Sequence, residues 1–240
     1  MRRMIIIWVL CIFTTNLFAQ DDEPWRNNGH FEIGFSADSW NLELGYARMF
    51  TRWLGIGASL QADNDYSGKS LLDYMLESSD SYDYDDDDIS RVSLIPSLVF
   101  RTPALRLSKK TEHGDGLLLQ VEPGMMLSLP VNESEDIPDP DYISQIHVEP
   151  GSGIQTFRVP TIRVKNTDGR WCYWRCKTSL GYKIGQGFLY IAYNISNYSI
   201  YDSHRNIKVG GKPIHDFPNR RFTHTISLGA SISFLMFALY

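Results

Sequence analysis

The chain has 240 residues, 43% of them hydrophobic and 13% aromatic, which suits one domain with a sizeable core. A formal net charge of −5 with scattered cations offers no basic face, which argues against a nucleic-acid partner. Beyond the N-terminus no apolar run approaches the roughly 20 residues of a membrane helix, so a membrane-spanning role would need a closed barrel, because lipid offers backbone polar groups no partners.

The chain opens Met1-Arg2-Arg3, followed by an apolar run to Phe13, a polar patch at Thr14-Thr15-Asn16, and Leu17-Phe18-Ala19-Gln20. A basic start, a short apolar run and a small residue before a polar one predict an export signal cleaved after Ala19. Residues 1–19 are then the signal and residues 20–240 the mature domain. Cys11 lies inside the apolar run and leaves with it. Cys172 and Cys176 remain. On one extended strand they would stand ~13 Å apart at ~3.3 Å per residue, beyond the ~7 Å limit for a disulfide. They read as two small apolar residues on one face.

The mature chain alternates apolar and polar residues in eight stretches, which is the period of strands with two unlike faces. In strand one, Phe31, Ile33 and Phe35 oppose Glu32, Gly34 and Ser36. A turn at 38–41 leads to strand two, residues 42–50. There Arg48 falls on the apolar side, which a bulge or a side chain snorkelling to the interface would explain. Strand three spans 53–63, and a long loop at 64–88 contains the acidic run Asp83 to Asp88. Strand four, 90–101, contains Pro96, which marks a bulge or a locally broken ladder.

A basic connection at 102–114 leads to strand five, 116–129, with Gln120, Glu122, Gly124 and Ser128 on its polar face. The loop at 130–169 has room for a short extra strand near 155–165. Strand six, 170–184, sets Cys172, Trp174, Cys176, Leu180 and Tyr182 on one face. Trp171, Tyr173, Arg175, Lys177, Ser179 and Lys183 take the other. Strand seven, 188–199, is aromatic on both faces. Its register is set by turning Asn194 and Ser196 inward and Leu189, Ile191, Tyr193 and Ile195 outward.

After a loop at 200–219 comes the most regular strand, 222–234. Phe222, Ile226, Leu228, Ala230, Ile232 and Phe234 alternate with Thr223, Thr225, Ser227, Gly229, Ser231 and Ser233. The prediction is an all-β, eight-stranded antiparallel up-and-down transmembrane barrel. Connections three–four, five–six and seven–eight are long, two–three and six–seven are tight, four–five is intermediate, and only one–two breaks the pattern by being short. That contrast resembles bacterial barrels, whose long loops face outside and whose turns face the periplasm. Both termini are then periplasmic.

The polar face is mostly Gly, Ser, Thr and Ala, which fit a narrow lumen and solubilise an outer surface poorly. Trp40, Phe50, Trp53, Trp171 and Tyr240 stand near strand ends, as interface girdles do. The opposite assignment, a soluble lipocalin-like carrier with an apolar lumen, is the alternative. With the polar face inward, Glu32, Glu43, Glu122, Arg91, Arg101, Arg175, Lys177 and Lys183 lie in the lumen. Buried charges must pair, so an internal ion-pair network is expected, with Glu122 facing Arg175 or Lys177.

The signal, the eight alternating strands and the aromatic end resemble small Gram-negative outer-membrane β-barrel proteins. The most typical segments are Trp53-Leu54-Gly55-Ile56-Gly57-Ala58 and Gly229-Ala230-Ser231-Ile232-Ser233-Phe234. The likeness covers the mature chain and fixes no subfamily. It implies outer-membrane lipid and lipopolysaccharide as surroundings, and the barrel-assembly machinery as a partner reading Phe234 or Tyr240 as the terminal aromatic. It also implies a monomer.

No catalytic constellation stands out. His30 is expected at the rim of strand one, His204 sits in a loop beside Asp202 and Ser203, and His224 lies on the apolar face with Ser227 on the other. No serine lies in a nucleophile elbow. Asp85, Asp86, Asp87 and Asp88 suit a hard cation such as Ca²⁺, but lack the glycine and spacing of an EF-hand loop. A solvated loop is the simpler reading, and no cofactor is expected. The function expected is a non-enzymatic barrel with an envelope-structural or surface-binding role. A component of an export or assembly apparatus, and a lipid-modifying enzyme, are the alternatives besides the carrier.

Overall fold

A computed structural model describes residues 27–66, 89–105, 115–139, 160–214 and 216–234. The export signal, Asp85 to Asp88, most of the basic connection and Tyr240 lie outside the described residues. So does the first part of the extra strand expected near 155–165.

Eight strands close into one antiparallel barrel. They are β1 (Asn27–Phe35), β2 (Ser39–Met49), β3 (Leu54–Asp65), β4 (Ser90–Arg101), β5 (Gly116–Leu129), β8 (Cys172–Ile184), β9 (Gly187–Ser196) and β12 (Thr223–Phe234). Each pairs with its neighbour in sequence, and β12 closes on β1 from Asn27↔Phe234 to Phe35↔Ile226. Closure leaves no open edge. Two small hairpins lie outside the barrel. One pairs β6 (Ser134–Pro138) with β7 (Thr161–Lys165), and the other pairs β10 (Lys208–Val209) with β11 (Lys212–Pro213).

The alternation seen in the sequence becomes an inside and an outside. Leu44, Leu60, Leu180, Leu189, Ile191, Ile226 and Leu228 point outward and are exposed, while Glu32, Glu43, Gln61, Lys177, Ser179 and Ser227 are buried inside. A carrier with an apolar lumen would show the reverse, so the soluble alternative falls. Among the described residues no helix is long and apolar enough to cross a membrane. The spanning elements are the strands, whose backbone groups are paired around the ring.

Several boundaries differ from the sequence reading. Strand one begins earlier, at Asn27, because Asn28 and His30 continue the inward parity of Glu32. The first turn lies at residues 36–38, not 38–41. The Ser36 hydroxyl organises it, accepting from the Ser39 backbone N–H at 3.0 Å. Strand two carries no bulge, since its pairing with β1 and β3 is unbroken. Arg48 simply points outward near the turn end. Trp171, expected on the inner face, lies before β8 and is 58% exposed.

At the β4–β5 seam the ladder is interrupted around Pro96 and Pro123, with pairs at Leu94↔Leu127, Ser97↔Gly124 and Phe100↔Val121. The register is the same on both sides of the gap, so the prolines remove ladder bonds without inserting a bulge.

Candidate functional site: a lumen filled in three layers

The inward residues sort by height. Nearest the long loops is an apolar layer of Ile89, Ile95, Met126, Tyr173, Tyr198 and Ile200. Nearest the turns are two more apolar groups: Leu118, Phe188, Tyr190 and Ala192, and Ala47, Met49 and Val99. The Lys177 cluster lies between, while other buried charges stand toward either end. Along β5 the inward order is Met126, then Glu122, then Leu118, so one strand crosses all three layers.

Lys177 is the hub of the charged layer. Its Nζ lies 3.3 Å from Glu32 Oε2, 3.1 Å from Glu43 Oε1 and 3.5 Å from Glu122 Oε1, with all four side chains buried. Arg175 donates to the other oxygen of Glu43 at 2.6 Å. Glu32 and Glu43 stand directly opposite each other across β1 and β2. Like charges in that relation repel, and Lys177 between them reverses the sign.

Neutral donors complete the shell. Ser59 donates to Glu43 at 2.8 Å, Tyr190 to Glu32 at 3.1 Å and the Gln120 amide to Glu122 at 2.7 Å. The Tyr190 ring occupies the space where a side chain at Gly229 would begin. The glycine of the last strand is therefore what admits the phenol to the network.

The remaining predicted lumen cations lie apart from this hub. Arg101 sits toward the turn end, donating to Gln120 Oε1 at 2.8 Å and so joining the layer indirectly. Lys183 is buried further along β8, also toward the turns. Arg91 belongs to the loop-end layer. It donates to the Tyr173 hydroxyl and to the carbonyls of Ser199 and Arg170 at 3.0–3.1 Å. It also lies over the rings of Tyr173 and Tyr198. Asp63 is fully buried across from Arg91 on β3 and accepts from the Gln61 amide at 2.7 Å.

Sequence reasoning missed His30. It lies inside β1, not at its rim, and its Nε2 is 3.2 Å from Glu43 Oε1. Its parity with Glu32 was the available signal. It also missed the aromatic plug, because parity turns Tyr173 inward without showing that its ring meets that of Tyr198, 5.1 Å away between centroids.

The β9–β12 connection caps the loop end. Tyr198 and Ile200 enter the apolar layer, a 3₁₀ turn follows (Ile200–Ser203), and Tyr201 stacks on Phe217 at 4.6 Å between centroids. Burial holds the Tyr198 phenol well above its ordinary pKa and pushes Tyr201 up to about 12, so both stay neutral. Asp202 accepts from Tyr173 at 3.0 Å and from Arg205 at 3.3 Å. Asn166 ties the cap to the β6–β7 hairpin, donating to the Asp202 carbonyl at 3.0 Å and accepting from the Asn206 N–H at 2.9 Å.

Ser203 Oγ lies 2.9 Å from His204 Nδ1. The hydroxyl is fully buried, and the Asp202 carboxylate is engaged by Tyr173 and Arg205. These three neighbours form a fold contact with no open nucleophile. His224 is on the outer face, 2.7 Å from the Tyr193 hydroxyl. Among the described residues no His, Cys, Asp and Glu side chains group as metal ligands.

Phe234, one candidate assembly aromatic, ends β12. Its carbonyl accepts from Asn27, and its ring centroid lies 6.2 Å from that of Tyr46.

An apolar outer belt, closed pairing and a charged, packed interior together define a small eight-stranded transmembrane β-barrel of the outer-membrane type. No family model and no curated protein matches the chain. Solved structures similar to it include the N-terminal β-barrel domain of Pseudomonas aeruginosa OprF, at 8% identity and a TM-score of 0.41, covering 88% of this chain and 98% of that one. Neisserial surface protein A matches at 7% and 0.36, covering 87% and 95%. The Yersinia pestis outer membrane protein Ail matches at 12% and 0.35, covering 87% and 99%. At these scores the assignment rests on the barrel's own geometry.

Proposed function

We propose that this chain is a non-enzymatic barrel of the Gram-negative outer membrane, with an envelope-structural or surface-binding role carried by its loop end. Its lumen is a rigid core and no path for solutes. The observation that carries this reading is the three-layer interior, where an ionic layer around Lys177 lies between two apolar layers. A hydrated path would have to breach both apolar layers and separate paired charges that are costly to expose singly.

The long loops face outside the cell and both mature termini face the periplasm, which the alternation of long and short connections supports. Lipid and lipopolysaccharide surround the belt. The chain works as a monomer, and the barrel-assembly machinery reads its last strand through Phe234 or Tyr240. The buried Ser203 and the engaged Asp202 favour binding over catalysis.

The test is reconstitution into liposomes with a sugar-swelling assay, alongside mass spectra of lipid A and phospholipids from a deletion strain. Swelling no faster than in protein-free liposomes, and unchanged lipids, are expected. Size-dependent sugar entry, or a lipid species that appears or vanishes with the gene, would overturn the reading.

A further inference from the structure

The loop end carries a cavity that the filled lumen does not explain. It has a volume of about 610 Å³, and its wall includes Arg170, Arg205, Arg220, Arg221, Asp202 and Phe222. Four arginines and one carboxylate thus line it, and a second carboxylate, Asp38, pairs with Arg220 from outside the wall.

The four differ in what already occupies them. Arg205 is structural, donating to Asp202 at 3.3 Å and to Ser199 Oγ and the Pro218 carbonyl at 3.0 Å. It matches the charge of Asp202 on its own. Arg170 reaches the other Asp202 oxygen only at 3.8 Å, and its side chain is 64% exposed. Arg220 pairs with Asp38 at 3.1 Å while half-exposed, and Arg221 lies over the Phe222 ring at 5.1 Å. All three of these last side chains are exposed and belong to the cavity wall. Guanidinium forks fit tetrahedral phosphate oxygens in pairs.

The second observation is where the cavity sits. Phe222 belongs both to its wall and to the outer surface, packing edge-on against Trp174 with centroids 5.8 Å apart. Trp174 is an exposed outward residue of β8, and on the same outer surface Tyr193 of β9 and His224 of β12 stack on each other. Such amphipathic rings mark the membrane–water interface. The cavity therefore stands at headgroup depth, open above to water and continuous below with the lipid-facing wall.

We propose that this cavity binds the phosphorylated headgroup of an outer-leaflet amphiphile. Arg170, Arg220 and Arg221 grip the phosphate, and the acyl chains run down the barrel past Phe222 and Trp174. The site rests on the loop-outward reading above and gives the surface-binding role a ligand class. A free phosphate shares the headgroup chemistry, but would make no use of the apolar wall at Phe222.

The test titrates the folded protein in detergent with bisphosphorylated lipid A, dephosphorylated lipid A and inorganic phosphate, read by native mass spectrometry. One phosphorylated lipid should bind per barrel, and the dephosphorylated form at least about tenfold more weakly. R170Q/R221Q, and separately R220Q, should weaken binding about tenfold or more, the worth of a lost charge-assisted contact. K212Q, in the same loop but outside the cavity wall, should bind as wild type.

Unchanged affinity in both arginine variants, or equal binding of the dephosphorylated lipid, would overturn the site. Inorganic phosphate binding as tightly as the lipid would make it a free-anion site and overturn the lipid assignment. A wild-type chain that will not enter phospholipid vesicles sinks the transmembrane reading and this site together. Loss of phosphate selectivity with insertion intact sinks the site alone.

Discussion

Replacing Lys177 by Met removes the cation that touches Glu32, Glu43 and Glu122 at 3.1–3.5 Å. At an effective dielectric of about 20, each contact carries about 5 kcal/mol of Coulomb attraction. Desolvation of several kcal/mol per ion offsets most of that while the cluster is intact. Once the ammonium is gone the offset is lost. Glu32 and Glu43 then face each other across one strand pair, Glu43 keeping Arg175, His30 and Ser59 and Glu32 keeping the neutral Tyr190 hydroxyl.

Methionine fills nearly the same volume, so the effect isolates charge from packing. The expected loss is about 3–5 kcal/mol, the cost of breaking a buried pair. Adding Glu122→Gln removes one stranded carboxylate and should restore part of it, with a coupling of about 1–3 kcal/mol. The assay is urea unfolding in phospholipid vesicles, followed by tryptophan fluorescence and by heat-modifiable gel mobility. A loss under about 1 kcal/mol for K177M, or a double variant that is simply additive, would refute the hub.

Four further outcomes follow from other contacts. Gly229→Val intrudes on the Tyr190 ring and should cost about 1–3 kcal/mol in the same assay; a neutral result would mean the phenol has room to move. Leu228→Arg, on the lipid face between Ile33 and Ile191, should cost about 2–4 kcal/mol in bilayers, and no loss would argue against the belt. Asp202→Asn removes the anchor shared by Tyr173 and Arg205, so trypsin should cut the β9–β12 connection faster while the barrel stays folded; equal cutting rates would show that the cap does not depend on it.

The fourth concerns pH. The Tyr198 and Tyr201 phenols are raised above the ordinary value near 10, so the opened cap loses protons first as pH rises. Cap stability is whole below about pH 10 and declines toward pH 12. Protection factors in the cap, which remove the base-catalysed rise of exchange itself, should fall over that window, and unchanged protection would contradict the burial of these groups.

The barrel was legible because its strands have one polar and one apolar face, and a period of two survives without knowing any partner. The last strand shows this best: every serine and threonine from Thr223 to Ser233 has the lumen parity. The same parity exposed Glu32, Glu43, Glu122, Arg175 and Lys177 as inward charges, since each breaks no alternation.

What parity cannot give is height. Arg91 and Lys177 look equivalent in the sequence, yet the barrel places Arg91 among aromatic rings and carbonyls and Lys177 among carboxylates. Nor does parity show that Met126 and Ile95, apolar residues on the inner face, would meet Tyr198 from a loop far along the chain. The Arg170–Arg221 cavity was hidden for the same reason, because its walls come from the two ends of different connections. Those contacts are set by closure, and closure is not written in any single strand.

Whether the lumen is sealed is read most directly by electrical recording of the folded wild-type barrel in a planar bilayer. No stepwise conductance above the bare membrane is expected, because the Lys177 layer is closed on both sides by apolar residues. Reproducible ohmic steps that scale with salt concentration would contradict it.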